Sequence, residues 1–382
     1  MKNYLPQQYQ STEDLEINHN YLKFQFDDYE EIFNKIKKVV IKGDYTLGSE
    51  VDILESEFSK LCEVKHSIAV GSGTDAIFLS LKALDIGVDD EVITTAFTFY
   101  ATVGAIATTG AKPVFCDIND DYNICIDEIE KKITNKTKLI VVIHTYGNVC
   151  ELDPIIKIAK SKKITVLEDS AESLGSKYKG KQSGGVADIG TYSFHATKTI
   201  TTGEGGMIVT NKNKEFTERL RAFRDHGVKV TRYFHHLPGH NFRLTNIQAA
   251  IGYAQMENFS KIDTERRRVY RYYIKLFKNI DGIRPQIFSS QIDPVVWTFA
   301  IVLDPEVFIH RDKIIKKMKD QGIETRNGFY SPCRLPIYKK YKTSHLKNSN
   351  KLSKNIICLP FFTSLKEKEM DYIAKTLLHF KR

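Results

Sequence analysis

Apolar residues recur along this chain in two rhythms. At residues 29–42, Ile32, Phe33, Ile36, Val39 and Val40 fall on one face of a helix, and at 49–62 Val51, Leu54, Phe58 and Leu61 do the same. The loop Gly43–Gly48 separates them. From residue 66 the rhythm shortens. Strand-length apolar runs appear at Ser67–Val70, Glu91–Thr95, Pro113–Asp117, Leu139–Ile143, Thr165–Leu167, Ile189–Phe194 and Met207–Thr210. Helical patterns at 74–84, 99–109, 126–133, 152–161 and 213–224 alternate with them. That alternation predicts an α/β fold with a mainly parallel seven-stranded sheet and ligands at the strand carboxyl ends.

Beyond residue 243 the pattern changes. One long helical stretch, 245–278, leads through a loop-like Pro285–Pro294 to a strand at Trp297–Leu303, a helix at 310–321 and a last helix at 366–380. This is the pattern of a smaller α+β C-terminal domain. The expected division is an N-terminal arm (1–30) with a short strand at Tyr21–Phe26, a large domain (31–258) and a small domain (259–382), the boundary lying inside the long helix.

Composition narrows the chemistry. A chain of 382 residues has room for two such domains. It has no apolar run of about 18 residues and no apolar leader after Met1, so neither a membrane span nor a secretory signal is expected. The six cysteines lack C-x-x-C spacing, as expected of reduced thiols in a cytoplasmic protein without a metal site. The net charge of +9 is spread along helices, Arg266-Arg-Arg268 being the densest cluster. No nucleic-acid motif accompanies it, so an anionic small molecule is the expected partner.

The stretch that carries chemistry is Thr191-Tyr-Ser-Phe-His-Ala-Thr-Lys198-Thr-Ile-Thr-Thr-Gly-Glu-Gly-Gly206. Its lysine sits between two strands, among hydroxyls and ahead of three glycines. A fixed lysine amine can form a Schiff base with a carbonyl, glycines let backbone approach a flat ligand, and hydroxyls can hold a phosphate. Pyridoxal 5'-phosphate is an aldehyde with a phosphate handle. The bland alternative for Lys198 is a surface lysine in a hairpin. Three other stations weigh against that alternative. Gly71-Ser-Gly-Thr-Asp-Ala76 follows a strand and opens a helix, a place for phosphate. Thr95-Ala-Phe-Thr-Phe-Tyr100 puts an aromatic at a strand end, able to stack on a pyridine ring or simply to join the core. Val166-Leu-Glu-Asp169 ends a strand with an acid, which suits a pyridinium N–H or a helix N-cap. Glu172 follows within reach of a ring hydroxyl.

These segments, with Arg221-Ala-Phe-Arg-Asp-His-Gly227 and Asn241-Phe-Arg-Leu-Thr-Asn-Ile-Gln-Ala-Ala250, resemble the sugar aminotransferases of the DegT/DnrJ/StrS type, most of all the perosamine synthases. The resemblance runs over roughly 35–375. It implies a fold type I aminotransferase acting as a homodimer with shared sites. By position, Lys198 would carry the Schiff base, Asp169 would partner the pyridine nitrogen and Phe99 would stack on the ring. Gly73, Thr74 and Ser193 would hold the phosphate, with Asn241 of the neighbouring subunit. Glu172 stands where Gln is commoner, and His195 is a candidate proton carrier. The implied donor is L-glutamate and the implied acceptor a nucleotide-linked keto-deoxysugar, with a small phosphorylated ketone as alternative. A sugar dehydratase would have histidine in place of Lys198. A non-catalytic cofactor-binding sensor is the other rival.

Overall fold

The computed structural model describes residues 15–20, 29–341 and 345–382; the strand expected at Tyr21–Phe26 lies outside them. Helices α1 (Tyr29–Lys42) and α2 (Ser49–Cys62) precede the main sheet. The sheet begins with β1 (His66–Val70), β2 (Glu91–Thr95), β3 (Lys112–Cys116), β4 (Thr137–Ile143) and β5 (Thr165–Asp169). A two-stranded excursion, β6 (Lys177–Tyr178) and β7 (Lys181–Gln182), comes before β8 (Ile189–Ser193) and β9 (Gly206–Thr210). Strand order is β1-β9-β8-β5-β4-β2-β3. Neighbours are parallel except around β9, which runs against both β1 and β8. The helices α3 (Gly73–Ala83), α4 (Tyr100–Thr108), α5 (Ile126–Lys132) and α6 (Leu152–Lys162) fill the crossovers, and α7 (Lys214–Arg224) follows the last strand, β9.

The central strands are apolar on both sides because both sides are covered. Val141 packs with Ile68, Leu79, Ile208 and Leu220, and its neighbours Ile140 and Val142 pack on the opposite face with Ile155 and Val166. The Arg221–Arg224 segment is structural. Glu55 of α2 accepts from both guanidiniums (2.8 and 2.9 Å) and from the Ala69 N–H, so a buried charge cluster ties α2 and α7 to β1.

The stretch expected as one helix is two. α8 (Asn246–Glu257) and α9 (Phe259–Phe277) break at Asn258, whose backbone leaves helical geometry (φ −99°, ψ 12°). Both halves keep a helical period, so periodicity does not register a one-residue break. Beyond α9 lie β10 (Ile283–Pro285), β11 (Ile292–Asp293), β12 (Phe299–Leu303), α10 (Arg311–Asp320), β13 (Arg326–Asn327), α11 (Lys347–Asn355), β14 (Ile356–Leu359) and α12 (Glu367–Leu378). Four of these strands form an antiparallel sheet, β10-β12-β14-β13. The expected Pro285–Pro294 loop contains β11, which pairs with β6 and so joins the β6–β7 excursion in a separate three-stranded sheet. Rings of Tyr273 and Phe277 on α9 stack on Phe299 of β12 at 4.7 and 6.0 Å. α9 thus belongs to the smaller core, and we propose that the lobes divide at Asn258.

The arm is not wholly irregular. Ile17 bridges Ile323 in parallel and is buried in the smaller core. Among the described residues no helix is long and apolar enough to cross a membrane.

Candidate active site

The strand order brings distant segments together. In register, Val70 pairs with Gly206 and Gly206 pairs with Ser193, so the turn after β1 lies one strand away from the end of β8. Glycine is needed at both contacts. A Cβ on Gly206 would sit 2.4 Å from the Ser72 carbonyl oxygen, and one on Gly73 would sit 2.7 Å from the Ser193 Cβ. Ser72 caps α3 by accepting from the Asp75 N–H at 3.0 Å. Gly73 and Thr74 are the first two residues of α3, where N–H groups have no helical acceptor. Gly73 and Ser193 therefore lie against each other at the strand ends, with Thr74 next along the start of α3. Thr74 is exposed and Ser193 half-buried, as a ligand cradle requires.

Between β8 and β9 the chain makes a tight excursion. Phe194 N–H donates to Gly205 O, and Thr202 N–H returns to Phe194 O. From α8, the Gln255 side chain accepts from the Thr201 N–H (2.9 Å) and donates to Thr201 O (2.6 Å). Lys198 at the far side points inward, its side chain only 13% exposed. Its Nζ stands 3.6 Å from Glu172 Oε1 and 4.0 Å from the centre of the Trp297 ring. A surface hairpin lysine is thereby excluded. Glu172 also accepts from the Tyr146 N–H at 2.9 Å. Burial pushes its carboxyl up, against the pull of the Lys198 charge. His195 is half-buried, with Nδ1 3.2 Å from Thr197 Oγ1 and Nε2 3.9 Å from Glu204 Oε1. Burial holds its imidazole below the usual range, so it is neutral, and able to accept a proton, at neutral pH.

Asp169 is the last residue of β5, paired with Thr191 of β8. No helix follows, so it is not an N-cap. Oδ2 accepts from the Thr102 hydroxyl (2.6 Å) and Oδ1 from the Ala171 N–H (3.1 Å). Behind it lies a buried pair. The Cys150 N–H donates to His144 Nδ1 (3.2 Å), which assigns the proton to Nε2 and makes Nε2 the donor to Glu168 Oε2 (2.9 Å). Glu168 also accepts from the N–H groups of Gly184, Val186 and Ala187. These bonds stiffen the strand end that carries Asp169.

Of the two phenylalanines after β2, Phe97 is fully buried against Tyr146 and Phe329, whereas Phe99 is 58% exposed. Only Phe99 has a free face. Asn241 is exposed, beside Phe242, whose carbonyl accepts from the Gly71 N–H.

Residues 27–378 match the DegT/DnrJ/EryC1/StrS aminotransferase family. The chain belongs to that family. It is 38% identical over 335 residues to the GDP-perosamine synthase of Escherichia coli O157:H7, covering 87% of this chain and 90% of the relative. Among solved structures, S. venezuelae DesV in complex with a ketimine intermediate superimposes with a TM-score of 0.88 at 27% identity, over 95% of this chain and 98% of that one. E. coli GDP-4-keto-6-deoxy-D-mannose-3-dehydratase, with bound hydrated PLP, gives 0.88 at 25% identity, over 96% and 100%.

This aminotransferase uses pyridoxal 5'-phosphate, and the residues present fit it. The free N–H groups at the start of α3, beside Ser193, suit a phosphate. The Asp169 carboxylate, 6% exposed, has two neutral donors and lone pairs left for a cationic one. Four residues of the site were missed by sequence reasoning: Thr102, Tyr146, Trp297 and His144. Thr102 lies one turn into α4 and could have been suspected from its place after the aromatic segment. Trp297, the chain's single tryptophan, was read as the first residue of a strand. Tyr146 and His144 carried no signal.

Proposed function

We propose that this aminotransferase moves the amino group of L-glutamate to the carbonyl of a nucleotide-linked keto-deoxysugar, as a homodimer in the cytoplasm. The observation that carries the reading is the inward Lys198 amine, set between the Glu172 carboxylate and the Trp297 ring, in the excursion that follows β8, the neighbour of the strand ending in Asp169. Bound pyridoxal phosphate supplies the electron sink that lets the donor's Cα lose a proton. Lys198 Nζ would hold the cofactor and, as general base and acid, would take and return that proton. Asp169 keeps a proton on the pyridine nitrogen, and Thr102 orients its carboxylate. Gly73, Thr74 and Ser193 bind the phosphate, Phe99 covers one ring face, and Glu172 faces the ring hydroxyl. His195 carries protons at the mouth of the site.

Support for the acceptor comes from relatives. One acts, by its name, as a GDP-perosamine synthase, and another as a 3-aminotransferase of a UDP-linked dehydro-glucosamine. The presence of Lys198 argues against a dehydratase. Support for the dimer comes from apolar side chains left exposed on α1 and the loop after it (Tyr29, Phe33, Ile41 and Tyr45) and from the exposure of Asn241, which serves the partner's phosphate site in this reading. The cytoplasmic location rests on the free cysteines among the described residues, all buried or half-buried.

The test is a screen of nucleotide-linked 4-keto- and 3-keto-deoxysugars against small phosphorylated ketones, following oxoglutarate release from glutamate. Sugar nucleotides should turn over fastest, and less so as salt is raised, because exposed charges are screened over about 8 Å at physiological ionic strength. Faster turnover of the small ketones by orders of magnitude would reverse the acceptor assignment.

A further inference from the structure

Trp297 holds both ends of Lys198. Its indole Nε1–H donates to the carbonyl of Thr197, the residue before the lysine, at 2.7 Å. Its ring face receives the lysine amine, with Nζ 4.0 Å from the ring centre, well inside cation–π range. The tryptophan is itself fixed on three sides. Its backbone N–H donates to Tyr146 O (3.2 Å), and the Tyr146 ring stacks on the indole (6.1 Å, 26°). Its carbonyl accepts from Arg266 Nη2 at 2.7 Å, and the neighbouring Val296 carbonyl from Arg266 Nε at 3.3 Å. Arg266 lies on α9 and is almost fully buried. The amine's other neighbour, Glu172, is anchored to the same Tyr146 through the latter's N–H. Lys198, Glu172, Tyr146, Trp297 and Thr197 therefore form a closed ring of contacts around one amine.

We propose that Trp297 is a positioning residue of the reaction, seating the Lys198 amine on its indole face whenever that amine is not bonded to the cofactor. The proposal rests on Lys198 being the cofactor lysine. A freed lysine side chain has four rotatable bonds and would otherwise wander between rotamers. The indole face gives the amine one resting place, and the N–H clamp fixes the backbone from which the chain extends. A tryptophan placed only for packing would have no reason to meet the lysine at both its peptide and its amine.

Because the chain has a single tryptophan, fluorescence of the cofactor-free protein reports on Trp297 alone. A protonated amine against an indole quenches it by proton donation to the excited ring. Lys198→Met keeps the bulk and removes the amine, so its emission should be brighter than wild type; unchanged emission would overturn the proposal. In cofactor-loaded protein, Trp297→Leu should lower kcat of the glutamate half-reaction by about three- to thirtyfold, the range one cation–π contact spans, with KM for glutamate nearly unchanged. Trp297→Phe keeps a ring face and should recover most of that loss. Equal loss in both variants would assign the effect to packing and overturn the proposal. Pyridoxamine phosphate needs no lysine bond, so its equal affinity for all three proteins verifies that the site is intact. Borohydride mapping separates the underlying reading: an adduct on another lysine defeats the role of Lys198, whereas an adduct on Lys198 with unchanged emission defeats only the role of Trp297.

Discussion

Asp169 accepts one hydroxyl and one peptide N–H, while its carboxylate is nearly out of solvent. A buried carboxylate with spare lone pairs is costly unless a cationic donor completes it, and a protonated ring nitrogen is such a donor. Asp169→Asn keeps the shape and the acceptor for Ala171 but loses the charge. It should retain pyridoxal phosphate yet lower kcat on the order of 10²–10³-fold, the usual effect of removing one preorganised electrostatic group. Turnover near wild type would reduce Asp169 to a turn residue. At this scale the sequence was informative where one short segment concentrates unusual types, as around Lys198 with its hydroxyls and glycines. It was silent on Trp297 and Tyr146, whose partners lie far along the chain and meet them only through β-strand order and the docking of α9.

At the scale of elements, the site is made by strand ends and one helix start. The β1–β9–β8 register sets the α3 turn against Ser193. Gly73→Ala would put a Cβ 2.7 Å from the Ser193 Cβ, closer than real side-chain contacts allow. The helix start must shift, so the variant should lose cofactor on dialysis roughly tenfold faster than wild type, as expected if about 1.4 kcal/mol of phosphate binding at the helix terminus is lost. Melting temperature should change far less than retention. Equal retention, measured by absorbance of the bound cofactor, would show that the phosphate sits elsewhere. All seven strands of the main sheet were legible, because each is a short apolar run bounded by helical patterns or by polar, glycine-rich stretches. The Asn258 break was not, since it leaves the helical period intact on both sides. Nor were α11 and β14. α11 is rich in lysine and asparagine, and β14 is four residues long, too short to separate from a buried helix turn by pattern.

At the scale of the whole molecule, one chain presents a site open on the side of Phe99 and leaves Asn241 at its surface. The proposed completion by a second copy has a direct consequence. Lys198→Ala and Asn241→Ala chains, each impaired alone, should regain activity when mixed, because a hybrid dimer has one site with both residues intact. No recovery, with subunit exchange verified by mass, would place Asn241 in its own chain's site or outside any site. The fold, the arrangement of the lysine loop and the family all converge on covalent capture of pyridoxal phosphate by one amine. Borohydride reduction of the loaded enzyme, followed by intact mass and peptide mapping, tests that claim most directly. The account predicts one cofactor adduct per chain, carried by Lys198, and none in Lys198→Ala; an adduct on any other lysine, or one that persists in Lys198→Ala, would contradict it.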